Sequence, residues 1–145
     1  MRGRLAAFLV STLVAAGAAS AREVVPAEER EFPYVAELPT CGDPAVLSRV
    51  STNFAEKEAK FWHSDLTIRE YEQIKPVAWR PWGLDTIPRR FCTATVTVSD
   101  GRRTRIDYSV REDLDFIGNG WGIEFCVIGL DRNLAFSPAC RMARP

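Results

Sequence analysis

Residues 91–110 read FCTATVTVSDGRRTRIDYSV, and within them apolar side chains recur with a period of two. Cys92, Ala94, Val96 and Val98 alternate with Thr93, Thr95 and Thr97. Successive side chains of a strand point to opposite faces, so this run presents one apolar and one hydroxyl-bearing surface. Its threonines and valines are β-branched, which suits a pleated, half-buried surface. Ser99-Asp100-Gly101 is a hairpin signal, and Ile106, Tyr108 and Val110 carry the alternation back along a returning strand. An antiparallel pair with one apolar face needs a cover.

That cover lies upstream. Asp43 is a good N-cap, because its carboxylate can accept from free backbone N–H groups, and Pro44 fits the first helical position. Val46, Leu47, Val50, Phe54, Phe61 and Trp62 then follow one helical stripe, while Glu56, Lys57 and Lys60 take the remainder. The pattern predicts an amphipathic helix over about residues 44–62. After Ser64-Asp65 the period becomes two again: Leu66, Ile68 and Ile74 share a parity against Thr67, Arg69 and Tyr71, although the glutamate-containing middle also admits a helical turn. Arg80-Pro81-Trp82-Gly83 and Ile87-Pro88 break this strand into a loop. Downstream, residues 114–120 read as a loop tipped by Gly118-Asn119-Gly120. Residues 121–130 are nearly all apolar, as in a strand covered on both sides or partly by the C-terminal tail, and residues 134–140 are expected to add a short edge segment. One helix followed by four strands with hairpin-like turns predicts an α+β fold, the helix packed on a four-stranded antiparallel meander over residues 41–145.

The first 21 residues bear on compartment. Arg2 and Arg4 precede an uncharged Ala/Leu/Val run of about 15 residues, and Ala19-Ser20-Ala21 has the small-x-small form of a signal-peptidase site. The run falls short of the roughly 20 residues that span a bilayer, so cleavage is expected and no stable anchor afterwards. Residues 22–40, acidic and punctuated by Pro26, Pro33 and Pro39, read as an extended arm. Cleavage removes Arg2 and Arg4 from 19 basic side chains and nothing from 19 acidic ones, which leaves a net charge of about −2. Such a chain has no general attraction to phosphate backbones or anionic lipid, so nucleic acid is not an expected partner.

Cys41, Cys92, Cys126 and Cys140 all follow the leader. Four cysteines in an exported domain read as two disulfides, with three possible pairings. A zinc site is the competing reading, but no two cysteines have the short spacing of a metal knuckle. The meander orders the pairings. A first strand running back along the helix returns the chain to the helix N-terminus, which brings Cys92 to Cys41; a fold-back at Asp131-Arg132-Asn133 brings Cys140 to Cys126.

His63 is the single histidine, and a general base needs a nucleophile or an orienting carboxylate beside it. Asp65 is close in sequence, yet an ordinary helix-end role fits both residues better. Gly-x-Ser-x-Gly, phosphate-loop and His-Glu-x-x-His patterns do not occur. Gly118, Gly120 and Gly122 fall between strands and suit turns. Glu112, Asp113 and Asp115 have no glycine-centred calcium loop around them. No catalytic residue, metal ligand or cofactor site is therefore assigned. The group that stands out combines arginine with aromatic residues: Trp79, Arg80, Trp82, Arg89, Arg90 and Phe91, with Trp121 as a further member. Guanidinium and indole groups support cation–π contacts and bidentate recognition of carboxylate or phosphate. The same residues can simply lid the core, with arginine stems lying over tryptophan.

The motifs IPRRFC (residues 87–92), SDG (99–101), WGIEFCVIGLDR (121–132) and SPACRMARP (137–145), with CGDP at 41–44, make the chain resemble a family of small exported alphaproteobacterial proteins of unknown function. The resemblance implies a periplasmic home and carries over no catalytic residue. In architecture the chain is loosely similar to cystatin-like and NTF-like folds, which host inhibitors, binding modules and enzymes alike. The expectation is a small periplasmic binding or accessory module that uses a Trp/Arg surface on a protein partner or a small anionic ligand. The alternatives are an enzyme whose pocket assembles from distant residues, and a structural envelope protein.

Overall fold

Asp43 and Pro44 begin the helix as their chemistry requires: the Asp43 carboxylate accepts from the Ala45 N–H at 2.8 Å. In the computed structural model, which describes residues 38–80, 87–112 and 120–145, α1 runs Pro44–Trp62. It ends at His63, a left-handed residue (φ 49°) whose backbone N–H bonds to the Glu58 carbonyl. Residues 1–37, on which the expected leader and most of the expected arm fall, lie outside the described residues. Four strands follow, β1 (Ile68–Arg80), β2 (Arg89–Val98), β3 (Arg103–Arg111) and β4 (Gly122–Val127), in the order β1-β2-β3-β4 with every neighbour antiparallel. This is the expected helix on an antiparallel meander.

The core forms where the helix stripe meets one sheet face. Val46, Val50 and Phe54 are buried with Ala94, Val96, Val98, Ile106, Tyr108 and Val110. Burying each large apolar side chain contributes about 1.5–3 kcal/mol, so this layer supplies most of what holds helix to sheet. Leu38, at the end of the arm, joins the same cluster.

Both disulfides pair as the meander implies, Cys41–Cys92 and Cys126–Cys140, with Cα separations of 5.7 and 5.6 Å. They serve opposite faces. Cys92 shares the helix-facing parity of Ala94 and pairs with Tyr108 on β3, whose buried hydroxyl donates to the Cys41 carbonyl at 2.7 Å. Cys126 pairs with Asp107 and points away from the helix. There it anchors the C-terminal 3₁₀ turn, Arg141–Ala143.

The structure corrects two local readings. β1 is one strand throughout and reaches Arg80, but it slips register against β2 between Ile68 and Glu70, Glu72 and Lys75, and Pro76 and Ala78. Each bulge inserts one residue and reverses the alternation that follows. Tyr71 therefore turns toward the helix, where its hydroxyl meets Ser51 Oγ at 3.0 Å and the Leu47 carbonyl at 3.3 Å. Residues 134–140 form turns, not an edge strand, because the Asp131 carboxylate accepts from the Ala135 and Phe136 N–H groups and winds the segment up. Among the described residues no helix is long and apolar enough to cross a membrane.

Closing the loop between Cys41 and Cys92, 51 residues apart, restricts the unfolded chain more than closing the 14-residue loop of Cys126 and Cys140. C41A/C92A is expected to cost about 4 kcal/mol and C126A/C140A about 3 kcal/mol in chain entropy. Urea unfolding of the oxidised proteins measures both, and a smaller loss in C41A/C92A would refute the ordering. A second expectation concerns alkali. Burial pushes the Tyr71 phenol up to about 12, against a stabilising hydrogen bond from Ser51, and raises Tyr108 further. The folded state then keeps protons that the unfolded state releases, so stability is full below pH about 10 and falls as pH rises toward 12. Denaturation free energy measured against pH should show that decline, and Y71F should flatten it.

Candidate functional site

β2 alternates, so Arg89, Phe91, Thr93, Thr95 and Thr97 share the face turned away from the helix. Cross-strand register extends that face sideways: Arg80 of β1 lies opposite Arg89 of β2, Arg89 opposite Arg111 of β3, and Arg111 opposite Gly122 of β4. Directly paired residues project to the same side, so three guanidinium-bearing side chains stand in one row, about 4.8 Å apart at the backbone. The next row is Ala78, Phe91, Ser109 and Glu124. The Arg80 and Arg89 guanidinium carbons lie 5.4 and 5.5 Å from the centre of the Phe91 ring. Phe91 is only 3% exposed although it points away from the core; its two arginine neighbours contribute to its cover.

Charge within this row is not balanced. Arg111 Nη1 meets Glu124 Oε1 at 2.7 Å, while Arg111 Nε is buried without a hydrogen-bond partner. Among the described residues neither Arg80 nor Arg89 has an ion-pair partner. Desolvation lowers the Arg89 pKa most; Arg111 and Arg80 lower it further, and Glu124 opposes them. Two guanidiniums on neighbouring strands repel by about 1 kcal/mol in a water-like dielectric and about 3 kcal/mol where solvent is reduced. Among the described residues three guanidiniums thus face one carboxylate, an imbalance that an added anion would relieve.

The C-terminal tail is fastened to this same face of the sheet. Asp107, 3% exposed, accepts from Thr93 Oγ1 at 2.9 Å and pairs with Arg144 Nε at 2.9 Å and Arg105 Nε at 3.3 Å. With the Cys126–Cys140 bond, this ion pair fastens residues 140–144 over the β3–β4 half of the face. A matching clamp ties the helix end to the tail: Arg132 Nη2 lies 2.9 Å from the buried Glu58 carboxylate and its guanidinium carbon 5.4 Å from the Trp62 ring centre.

The Trp/Arg group read from sequence is divided by the sheet. Arg80 and Arg89 join the row with Phe91. Trp79 pairs with Arg90 on the helix side, the Arg90 guanidinium 4.9 Å from the indole centre and its Nη2 donating to the Leu38 carbonyl at 3.3 Å. Arg90 thus anchors the end of the arm. Trp121 stands at the start of β4 beneath Arg49, which approaches its ring to 4.4 Å and donates to its carbonyl at 2.6 Å. Trp82 lies outside the described residues. Arg111 and Glu124 escaped sequence reading, although a signal existed: counting outward equally from Asp100, the middle of Ser99-Asp100-Gly101, pairs Arg89 with Arg111. Glu124 needed the register of β4.

Other candidates are separate from this row. His63 is exposed and closes the helix through its backbone. Asp113, Asp115 and Gly118 lie outside the described residues, and Glu112 is buried at 2% exposure. No cluster of three His, Cys, Asp or Glu able to hold a metal occurs among the described residues. A cavity of about 10 Å³ between the helix and β4, lined by Phe54, Glu58, Phe125 and Leu130, has room for one water molecule. The chain matches no protein-family model, no curated protein and no solved structure.

Removing the carboxylate that holds the tail leaves Arg105 and Arg144 without their partner. Asp107→Ala is expected to destabilise the protein by about 2 kcal/mol, because hydrogen bonds to a charged group are lost while the two arginines left behind stay solvated, and to speed tryptic cleavage after Arg141. Limited proteolysis followed by mass spectrometry checks it; unchanged cleavage rates would show that the disulfide alone holds the tail.

Proposed function

We propose that the chain is an exported, disulfide-bonded binding module that holds a negatively charged group of its partner on the helix-distal face of its sheet. The observation that carries this reading is the row Arg80–Arg89–Arg111, which among the described residues meets one carboxylate at ion-pair distance, that of Glu124. Arginine suits the task because its planar fork of donors matches carboxylate and phosphate oxygens and stays charged at any physiological pH. A sheet positions such donors stiffly, so little side-chain freedom is lost on binding.

Export is part of the same proposal. The leader-like first 21 residues motivate it, and two disulfides fit an oxidising compartment such as the periplasm. Membership in the small exported family that the CGDP, IPRRFC and WGIEFCVIGLDR motifs resemble is proposed on the same footing. The enzyme reading has less support. Among the described residues His63 has no side-chain hydrogen-bond or ion-pair partner to orient it as a base.

Retention on an anionic resin tests the reading directly. The processed, oxidised chain is expected to be retained at low ionic strength despite its near-neutral charge, and salt should release it as screening grows. R80E/R89E should abolish retention, whereas the same double reversal at the exposed turn and tail residues Arg102 and Arg141 (R102E/R141E) should leave it intact. Equal loss in both variants would mean that net charge governs retention, and the proposed face would be wrong.

A further inference from the structure

We propose that the group bound by this row is a phosphate-type dianion seated between Arg80 and Arg89, and that Glu124 sets the specificity by occupying Arg111 as a built-in carboxylate. The proposal deepens the anionic-partner reading and rests on it. Three guanidiniums in register offer two slots, one between Arg80 and Arg89 and one between Arg89 and Arg111. The second slot is already engaged from below, because Glu124 Oε1 lies 2.7 Å from Arg111 Nη1. The first has no carboxylate at ion-pair distance among the described residues.

Charge then selects the ligand. Among the described residues, three cations against one carboxylate leave a surplus of two positive charges, which a phosphate monoester, at about −1.5 to −2 near neutral pH, matches and a single carboxylate half matches. Geometry agrees. Charge-assisted N–H···O bonds are about 2.7–2.9 Å long, so one tetrahedral oxyanion reaches two guanidiniums held on adjacent strands. Both guanidiniums lie near one Phe91 ring; a guanidinium resting on an aromatic face keeps its in-plane donors for the ligand. Glu124 is a positioning residue in this scheme. It holds Arg111 beside Arg89 and repels a second anion, which limits the site to one phosphate.

The test titrates the processed, oxidised chain with inorganic phosphate and, separately, acetate at constant ionic strength, following guanidinium Nε–Hε resonances. Phosphate should shift Arg80 and Arg89 and bind at least about tenfold more tightly than acetate. R89K keeps the charge and loses the fork, so it should weaken phosphate about tenfold. E124Q should strengthen phosphate several-fold by releasing Arg111, and a near-UV dichroism spectrum establishes that each variant is folded. Sedimentation with phosphatidylcholine vesicles containing phosphatidic acid separates the sources. Phosphate-competable co-sedimentation that R89K abolishes identifies a lipid headgroup, whereas solution binding without co-sedimentation identifies a soluble phosphoester; either supports the proposal. Wild-type affinity for phosphate in R89K, or acetate binding as tight as phosphate, overturns it. If phosphate does not bind while resin retention still depends on Arg80 and Arg89, the phosphate class fails and the anionic-partner reading stands; if retention is lost as well, both fail.

Discussion

The junction of Cys41, Cys92 and Tyr108 holds the start of the helix to the middle of the sheet. A disulfide reaches from Cys41, two residues before the helix cap, to the core face of β2. The neighbouring tyrosine on β3 donates its buried hydroxyl to the Cys41 carbonyl at 2.7 Å. This joins a covalent constraint to a hydrogen bond made where water is excluded, and a buried donor left unpaired there would cost about 1–3 kcal/mol. With the helix N-terminus tied down, Val46, Val50 and Phe54 fall in order over the sheet, and Leu38 is drawn in behind them with its carbonyl on Arg90.

The two faces of the sheet obey different physics. Toward the helix, hydrophobic burial decides what fits, and polar atoms such as the two tyrosine hydroxyls are satisfied by the backbone or by Ser51. On the distal face, threonines and paired charges replace valines, and the tail is fastened there. Asp107 and Glu58 show how charge survives burial here, each matched by arginine from a segment distant in sequence. The row at Arg80, Arg89 and Arg111 departs from that rule.

β1 is the long edge strand of the sheet, and its irregularities have a use. An edge with free N–H and C=O groups invites pairing with other chains. Pro76 removes one donor, Lys75 adds charge, and three register slips bend the strand so that no long flat edge remains. The same slips rotate Tyr71 inward and bring Arg80, not Trp79, to the distal face. One device therefore both blunts the edge and builds the first position of the arginine row.

Much was legible in the chain itself. The Asp43-Pro44 cap, the helical stripe and the alternation of residues 92–98 depend on neighbours a few positions apart, and local backbone geometry turns those patterns into a helix and strands with little freedom. The pairing of cysteines followed because a meander over one helix leaves few ways for the chain to return. What the tertiary structure alone decided was register. Arg89 and Arg90 are adjacent in sequence yet serve opposite faces. Arg111 and Glu124 reach the site from strands whose alignment depends on the packing of every strand between. Bulges in β1 compound this, because each inserted residue reverses the face of all that follow, and no local pattern records where tertiary packing will place them.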